Sequence, residues 1–415
     1  MKTILKSAGL AALGAASLQA ADNARPSPTG DKPYSLSASL RGFYDDNYTS
    51  SGGNLRTDSF GFEVRPSASL NWNAEQTQIG ASYTYSLKYY EDRVNNRADH
   101  AHLFDISLNH EFTENYRLTL YDNLAVAQEG MVLDPAQRIQ ALRVNGNNVR
   151  NIAGADFRAD ISRQIALEPG YSFTLYDYQQ KGANSYSARL DRHEHMFKLG
   201  LRWKEIAART DGILGYQFGM TDYTSNDTLG GLSPSVRDTR SHYYFAGVDH
   251  TLNPQVTLSL RAGAQTVDYR GTQSTRTSPY VDLNGTYRFS ERSSAQLGYK
   301  LSRIATDQFL PVGGQLTVDQ YAHFLYGRLS HSVGDLTLGA GLQWQYGKYR
   351  GGLLNSQAED ILSADLSALY RINNYLYAEA GYVFEMLHDH GFDTVAVPNR
   401  DFHRNIIYLG LKATY

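Results

Sequence analysis

The chain has 415 residues, with 31 Tyr, 16 Phe and 3 Trp, 20% charged residues, no Cys and a formal net charge of −3. No apolar run reaches the roughly 18 residues that a membrane-spanning helix needs, and the aromatic content excludes a disordered chain. The lack of cysteine excludes disulfides, thiolate metal sites and a cysteine nucleophile, and the mild acidity argues against nucleic acid as a partner.

Lys2 and Lys6 precede an apolar stretch from Ala8 to Leu18 that ends in the small residues Ala20 and Ala21. This reads as a secretory signal peptide over 1–20. Its removal takes away two lysines and no acid, leaving a formal charge of −5. Residues 21–33 hold three prolines and no apolar period, the composition of a flexible periplasmic lead-in.

From residue 34 to 415 a period of two dominates. Phe60, Phe62, Val64, Pro66, Ala68, Leu70 and Trp72 alternate with polar or small residues, as do Ile79, Ala81, Tyr83, Tyr85, Leu87 and Tyr89, and later Leu336, Leu338, Ala340, Leu342, Trp344 and Tyr346. Alternate side chains of a strand point to opposite faces, so each segment has one apolar and one polar face. About 18 such strands begin near 34, 58, 77, 101, 116, 151, 170, 189, 212, 240, 255, 279, 294, 320, 335, 360, 375 and 402, with 16 as the alternative count. Connectors alternate between tight turns, such as 73–76, 113–115, 252–255 and 372–374, and long segments near 45–57, 91–100, 127–150, 178–188, 222–239, 268–278, 303–319, 347–359 and 387–401. That pattern predicts antiparallel hairpins with short periplasmic turns at one rim and long extracellular loops at the other.

A soluble sandwich or propeller also alternates, and the placement of aromatics separates the possibilities. Trp72, Phe112, Trp203, Phe289, Tyr370 and Tyr415 stand on the apolar face near the short turns, while Tyr44, Tyr89, Trp344 and Tyr346 stand near the long loops. Two aromatic girdles around an aliphatic band predict an all-β fold, a transmembrane antiparallel up-and-down β-barrel closed on itself.

In the last strand Ile407, Leu409, Leu411, Ala413 and Tyr415 alternate with Ile406, Tyr408, Gly410, Lys412 and Thr414. With Tyr415 as the final aromatic, Leu409, Leu411, Ala413 and Tyr415 resemble the C-terminal signal read by the assembly machinery of bacterial outer-membrane barrels. The opening Tyr34-Ser-Leu-Ser-Ala-Ser-Leu-Arg-Gly-Phe-Tyr-Asp-Asp-Asn-Tyr48 and the pairs Gly170-Tyr171, Gly298-Tyr299 and Gly381-Tyr382 make residues 34–415 resemble the β-barrel porin 2 family. The resemblance implies a barrel in the outer membrane of a Gram-negative bacterium, in a family sometimes linked to extracellular polysaccharide pathways, and brings no catalytic residues or cofactor. The implied partners are outer-membrane lipid and lipopolysaccharide, the barrel-assembly machinery and small hydrophilic solutes.

A barrel of this size leaves an aqueous lumen, so passive diffusion of small hydrophilic solutes, saccharides included, is the leading expectation. Its candidate pore-lining charges are Arg41, Glu63, Arg65, Lys88, Asp105, Arg117, Asp156, Arg158, Arg202, Arg261, Asp282, Arg288, Lys300, Asp365, Glu379 and Lys412, on the polar alternation together with Glu111, Asp160, Lys198 and Glu385. Cross-strand pairs bracing the wall are the alternative role for each. Arg41, Arg65 and Lys412 would form a basic strip at the closure seam. Inward Tyr90, Tyr121, Tyr243, Tyr280, Tyr377 and Tyr408 offer aromatic faces to sugar rings. In the longest loop, Asp134 before Pro135 and the following AQRIQALR read as a capped short helix. If it folds inward, Arg138 and Arg143 help set the constriction; an external helix is the other possibility.

No phosphate loop, nucleophile elbow, His-Glu-x-x-His or calcium loop is present, so no enzyme is expected. His100 with His102, His193 with His195 and His388 with His390 share strand faces, as metal ligands would, although solvated rim residues are the simpler reading. The functional alternatives are an outer-membrane component of polysaccharide export and an outer-membrane barrel hydrolase.

Overall fold

The structure, a computed structural model, describes residues 33–128, 146–306, 308, 317–391 and 400–415. The signal peptide, nearly all of the lead-in, and Arg138 and Arg143 lie outside the described residues. The strands are β1 (Tyr34–Asp45), β2 (Ser59–Asn73), β3 (Thr77–Tyr90), β4 (Ala98–Thr113), β5 (Tyr116–Ala127), β6 (Asn148–Asp160), β7 (Ile165–Tyr178), β8 (Arg192–Ala207) and β9 (Thr210–Tyr223). They continue with β10 (Thr239–Asn253), β11 (Val256–Tyr269), β12 (Ser274–Ser290), β13 (Ser293–Ile304), β14 (Thr317–Val333), β15 (Leu336–Gly351), β16 (Ala358–Arg371), β17 (Leu376–His390) and β18 (Phe402–Thr414). A single helical turn, α1 (Tyr186–Leu190), lies between β7 and β8.

Each strand pairs antiparallel with its sequence neighbours, and β1 pairs with β18 from Ser37↔Thr414 to Asp45↔Ile406. The eighteen strands therefore form one closed ring. Closure leaves no free edge, which is the condition for a sheet to exist in lipid. Outward positions carry the apolar set: Leu40 is 58% exposed, Leu409 69% and Trp203 58%, while the inward Arg41 is 1% exposed. This is the architecture of an outer-membrane barrel, and the chain resides in that membrane.

The tight turns follow from local chemistry. Asn253 Oδ1 accepts from the N–H groups of Gln255 and Val256, and Asn373 Oδ1 does the same for Tyr375 and Leu376. Gly334 supplies a φ of 58° in the turn between β14 and β15. Prolines inside strands interrupt the ladder locally: the β2 to β3 pairing skips from Val64↔Leu87 to Ser67↔Thr84 around Pro66.

Expected strand starts move by up to five residues. The strand expected near 170 starts at Ile165: the β6–β7 ladder is interrupted around Pro169 and resumes in the same register at Ala159↔Leu167. The strand expected near 279 starts at Ser274, so the long loop expected over 268–278 shrinks to a hairpin turn at 270–273. The strand expected near 189 starts at Arg192, because Ser185 caps α1 through its hydroxyl, which accepts from Ala188 N–H.

Candidate functional site

All sixteen charged candidates stand on the inward alternation of their strands. They fall into distinct surroundings, because the barrel interior differs from side to side.

At the closure seam the interior wall is filled. Arg41 donates from Nε and Nη2 to both carboxylate oxygens of Glu379 at 2.6 and 3.0 Å, and Glu63 lies 3.7 Å away. Arg65 reaches Glu63 at 3.5 Å, and Ser86 donates to the same carboxylate at 2.6 Å. Higher on the same wall Arg404 binds Asp45 through two nitrogens and approaches Glu385 at 3.4 Å. Arg41 also stacks 4.7 Å from the ring of Tyr408. Phe43, Tyr90, Val383, Ile406 and Tyr408 form an apolar cluster beside these charges, and Arg93, from the connection between β3 and β4, lies 4.0 Å over Tyr90. The expected basic strip is thus interleaved with acids: Arg41, Arg65 and the buried Lys412 do neighbour one another, with Glu63 and Glu379 set between them. Asp365 is inward and buried, pressed against Gly341. Lys88 faces Glu63 across β2 and β3.

Near the periplasmic ends of β4 to β11, cross-strand ion pairs form an arc. Arg117 pairs with Glu111 at 2.9 Å and Arg158 with Asp160 at 3.1 Å. Arg202 gathers Glu168 at 2.7 Å, Asp211 at 3.2 Å and Asp249 at 2.6 Å, and Arg261 shares Asp249 at 2.7 Å. Arg261 makes this contact although Asp282 stands directly opposite it. Arg288 is exposed and has no ion-pair partner among the described residues.

Between β5 and β14 the lumen opens into a cavity of about 450 Å³. Tyr121, Asp156, Lys198, Gln217, Tyr243, Gln265, Tyr280 and Lys300 contribute to its wall. Lys198 reaches Asp156 at 3.1 Å, and Tyr243 meets Tyr280 edge to face at 5.4 Å between ring centroids. Gln265 donates to the Tyr243 hydroxyl at 2.9 Å and to the Arg303 carbonyl at 3.1 Å. Arg303 in turn reaches Asp319 at 3.0 Å, and Asp319 also accepts from the Tyr269 hydroxyl. Asp105, nearer β4, accepts from Asn123, which also accepts from Arg150 at 3.2 Å.

The extracellular side of this cavity is roofed by loops. Leu190 of α1 packs with the inward Ile152, Tyr176 and Tyr178, and Ala188 packs with Leu229, Val236 and Val318. Arg237 ties the loops together: it donates to the Arg189 carbonyl at 2.9 Å and to the Thr306 carbonyl, while its guanidinium lies 4.4 Å over Tyr223. Next to it, burial holds the Asp238 carboxyl above the ordinary carboxylate range, against the lowering effect of the Tyr223 N–H. Burial works the other way on Lys181, whose pKa is nonetheless raised by hydrogen bonds to Asp177 and Asp191. The described loops over the cavity are thus the connections after β7, β9 and β13, tied together around Arg237, a residue that no periodicity marks.

The inward tyrosines divide in the same way. Tyr121 and Tyr243 stand partly exposed on the cavity wall, Tyr280 adjoins it but is itself buried, and Tyr90 and Tyr408 are buried in the seam cluster. The paired histidines all point outward. His102 and His100 meet the Tyr83 and Tyr85 hydroxyls at 3.0 and 2.7 Å, His195 meets Tyr171 at 2.8 Å, and His388 and His390 meet Asp401 and Asp360 at 3.0 and 2.6 Å. No group of three or more metal-binding side chains occurs among the described residues.

No protein-family model matches the chain, and no curated protein matches it. Among solved structures the chain is similar to OccK9 (OpdG) of Pseudomonas aeruginosa, at 13% identity over 92% of this chain and 98% of that one, with a TM-score of 0.44. It is also similar to OccAB3 of Acinetobacter baumannii, at 12% identity over 92% and 99%, with a TM-score of 0.40. The FrpB iron transporter of Neisseria meningitidis aligns at 10% identity over 93% and 82%, with a TM-score of 0.43. Similarity of this degree carries no argument, and the barrel assignment rests on the strand pairing itself.

Proposed function

We propose that this chain is a passive channel that lets small hydrophilic solutes, saccharides among them, cross the outer membrane. The observation that carries the reading is the cavity inside a closed barrel, lined by charged, amide and tyrosine side chains: about 450 Å³, within the roughly 300–1,000 Å³ of small-molecule sites. Its wall alternates ionic pairs with the half-buried rings of Tyr121 and Tyr243, which suits solutes that carry hydroxyls on one side and C–H faces on the other. Acids and bases nearly balance on the inward face, so weak ion selectivity is expected. No side chain is assigned a catalytic role. The assembly role of Leu409, Leu411, Ala413 and Tyr415, and contact with lipopolysaccharide, belong to the same proposal.

Planar-bilayer recording tests it. Folded protein is expected to give discrete conductance steps with weak ion preference and partial block by saccharides. Folded protein without conductance would overturn the reading in favour of an export or structural role.

A further inference from the structure

Between its two aromatic girdles the outward face of the barrel is mostly apolar, and its few polar side chains include a carboxylate. Among the described residues, Asp122 is the one outward carboxylate with two apolar outward residues on each side along its strand: Leu118 and Leu120 below, Leu124 and Val126 above. The alternation leaves no doubt about its side, since Tyr121 lines the lumenal cavity and Asn123 meets Asp105 and Arg150 inside. It lies six positions along β5 from Tyr116, the first residue of the strand at the periplasmic rim, which at about 3.3 Å per residue and a tilt near 40° lifts it about 15 Å into a band about 25 Å tall. The other outward acids, such as Asp222, Asp268 and Asp360, stand at the extracellular ends of their strands beside Arg240, His242 and His390.

A carboxylate at that depth facing hydrocarbon is unfavourable and needs polar partners. Asp122 has one among the described residues: Asn151 of β6, also outward, donates from Nδ2 to Oδ1 at 2.9 Å. That leaves Oδ2 as an acceptor and the second amide hydrogen of Asn151 as a donor. On one side of the pair β6 presents Ala153 and Ala155, between Ile106, Leu120, Tyr171 and Phe173 of the strands around it; on the other side stand Val149, Leu124 and Leu175. The pair thus borders a shallow groove with a floor of small side chains, the kind of surface that lets two backbones approach closely in a membrane.

We propose that the outward face of β5 and β6 is an interface between two copies of this chain, with Asp122 and Asn151 of each hydrogen-bonded to those of the other across a two-fold axis. The donor and acceptor left over are complementary to themselves under two-fold rotation, whereas an acyl chain offers neither.

Because the chain has no cysteine, one introduced thiol reports alone. Oxidation in the membrane is expected to convert A153C into a covalent dimer and to leave L366C, on the outward face of distant β16, monomeric. Light scattering in mild detergent is expected to give a dimer for the native chain and a monomer for the D122L/N151L variant, with the heat-modifiable gel band showing that the variant barrel is folded. A native chain that is monomeric in both detergent and nanodiscs, equal cross-linking of A153C and L366C, or a folded double variant that remains a dimer would each overturn the proposal.

Discussion

The two sides of the lumen solve the problem of inward charge differently. At the seam, Arg41, Glu379, Arg404 and Asp45 are each 1% exposed or less, and every one is matched by a carboxylate or guanidinium from another strand. Between β5 and β14 the same alternation faces open space at Asp156 and Lys198, whose side chains are 44% and 24% exposed and set among tyrosines and amides. Strand periodicity is the same in both regions. The difference is what stands opposite: an aromatic cluster and folded-in loop residues at the seam, a solvent-filled chamber on the other side. Burial turns a charge into a brace, and access to water leaves it available to a solute.

The largest effect should come from breaking the brace. Glu379→Gln leaves the Arg41 guanidinium buried without its bidentate partner and should cost about 3–5 kcal/mol of unfolding free energy, read by urea titration in lipid vesicles. Replacing both residues, as Arg41→Met with Glu379→Leu, should cost far less, since no uncompensated charge remains. Equal losses in the single and double variants would show that the wall is held by packing alone.

A smaller effect is expected at the roof of the chamber. Arg237→Ala removes the donor shared by the Arg189 and Thr306 carbonyls and should loosen the loops by about 1–3 kcal/mol. The expected readout is faster proteolysis within 179–191 and 224–238 together with a higher single-channel conductance. Unchanged conductance would mean that these loops do not narrow the pathway.

The strands were legible because their burial is one-sided: alternation from Tyr34 to Tyr415 reveals the face of almost every residue, and with it the inward position of Arg41 or Asp282. Partnership was not legible, since Arg41 and Glu379 are 338 residues apart and meet only because the ring closes. Arg303 shows a second limit. Its parity on β13 puts it with the outward Tyr299 and Leu301, yet the strand end turns inward and delivers it to Asp319 and Gln265. Arg237 shows a third, because its loop has no period, and its place depends on carbonyls from two other loops.

The subtlest test asks whether the tyrosines on the two sides differ in function as they do in setting. Tyr243 stands half-buried on the chamber wall, edge to face with Tyr280, so Tyr243→Ala removes an aromatic face from the solute's path. At about 0.5–1.5 kcal/mol for an aromatic contact, the saccharide concentration for half-block should rise by roughly two- to tenfold, with conductance nearly unchanged. Tyr408→Ala serves as the counterpart. That ring is 8% exposed, covered by Arg41 on one face and packed in the seam cluster, so its loss should lower stability and leave saccharide block where it was. If both variants weaken block equally, the seam is as accessible to solute as the chamber, and the division between brace and pathway fails at its weakest joint.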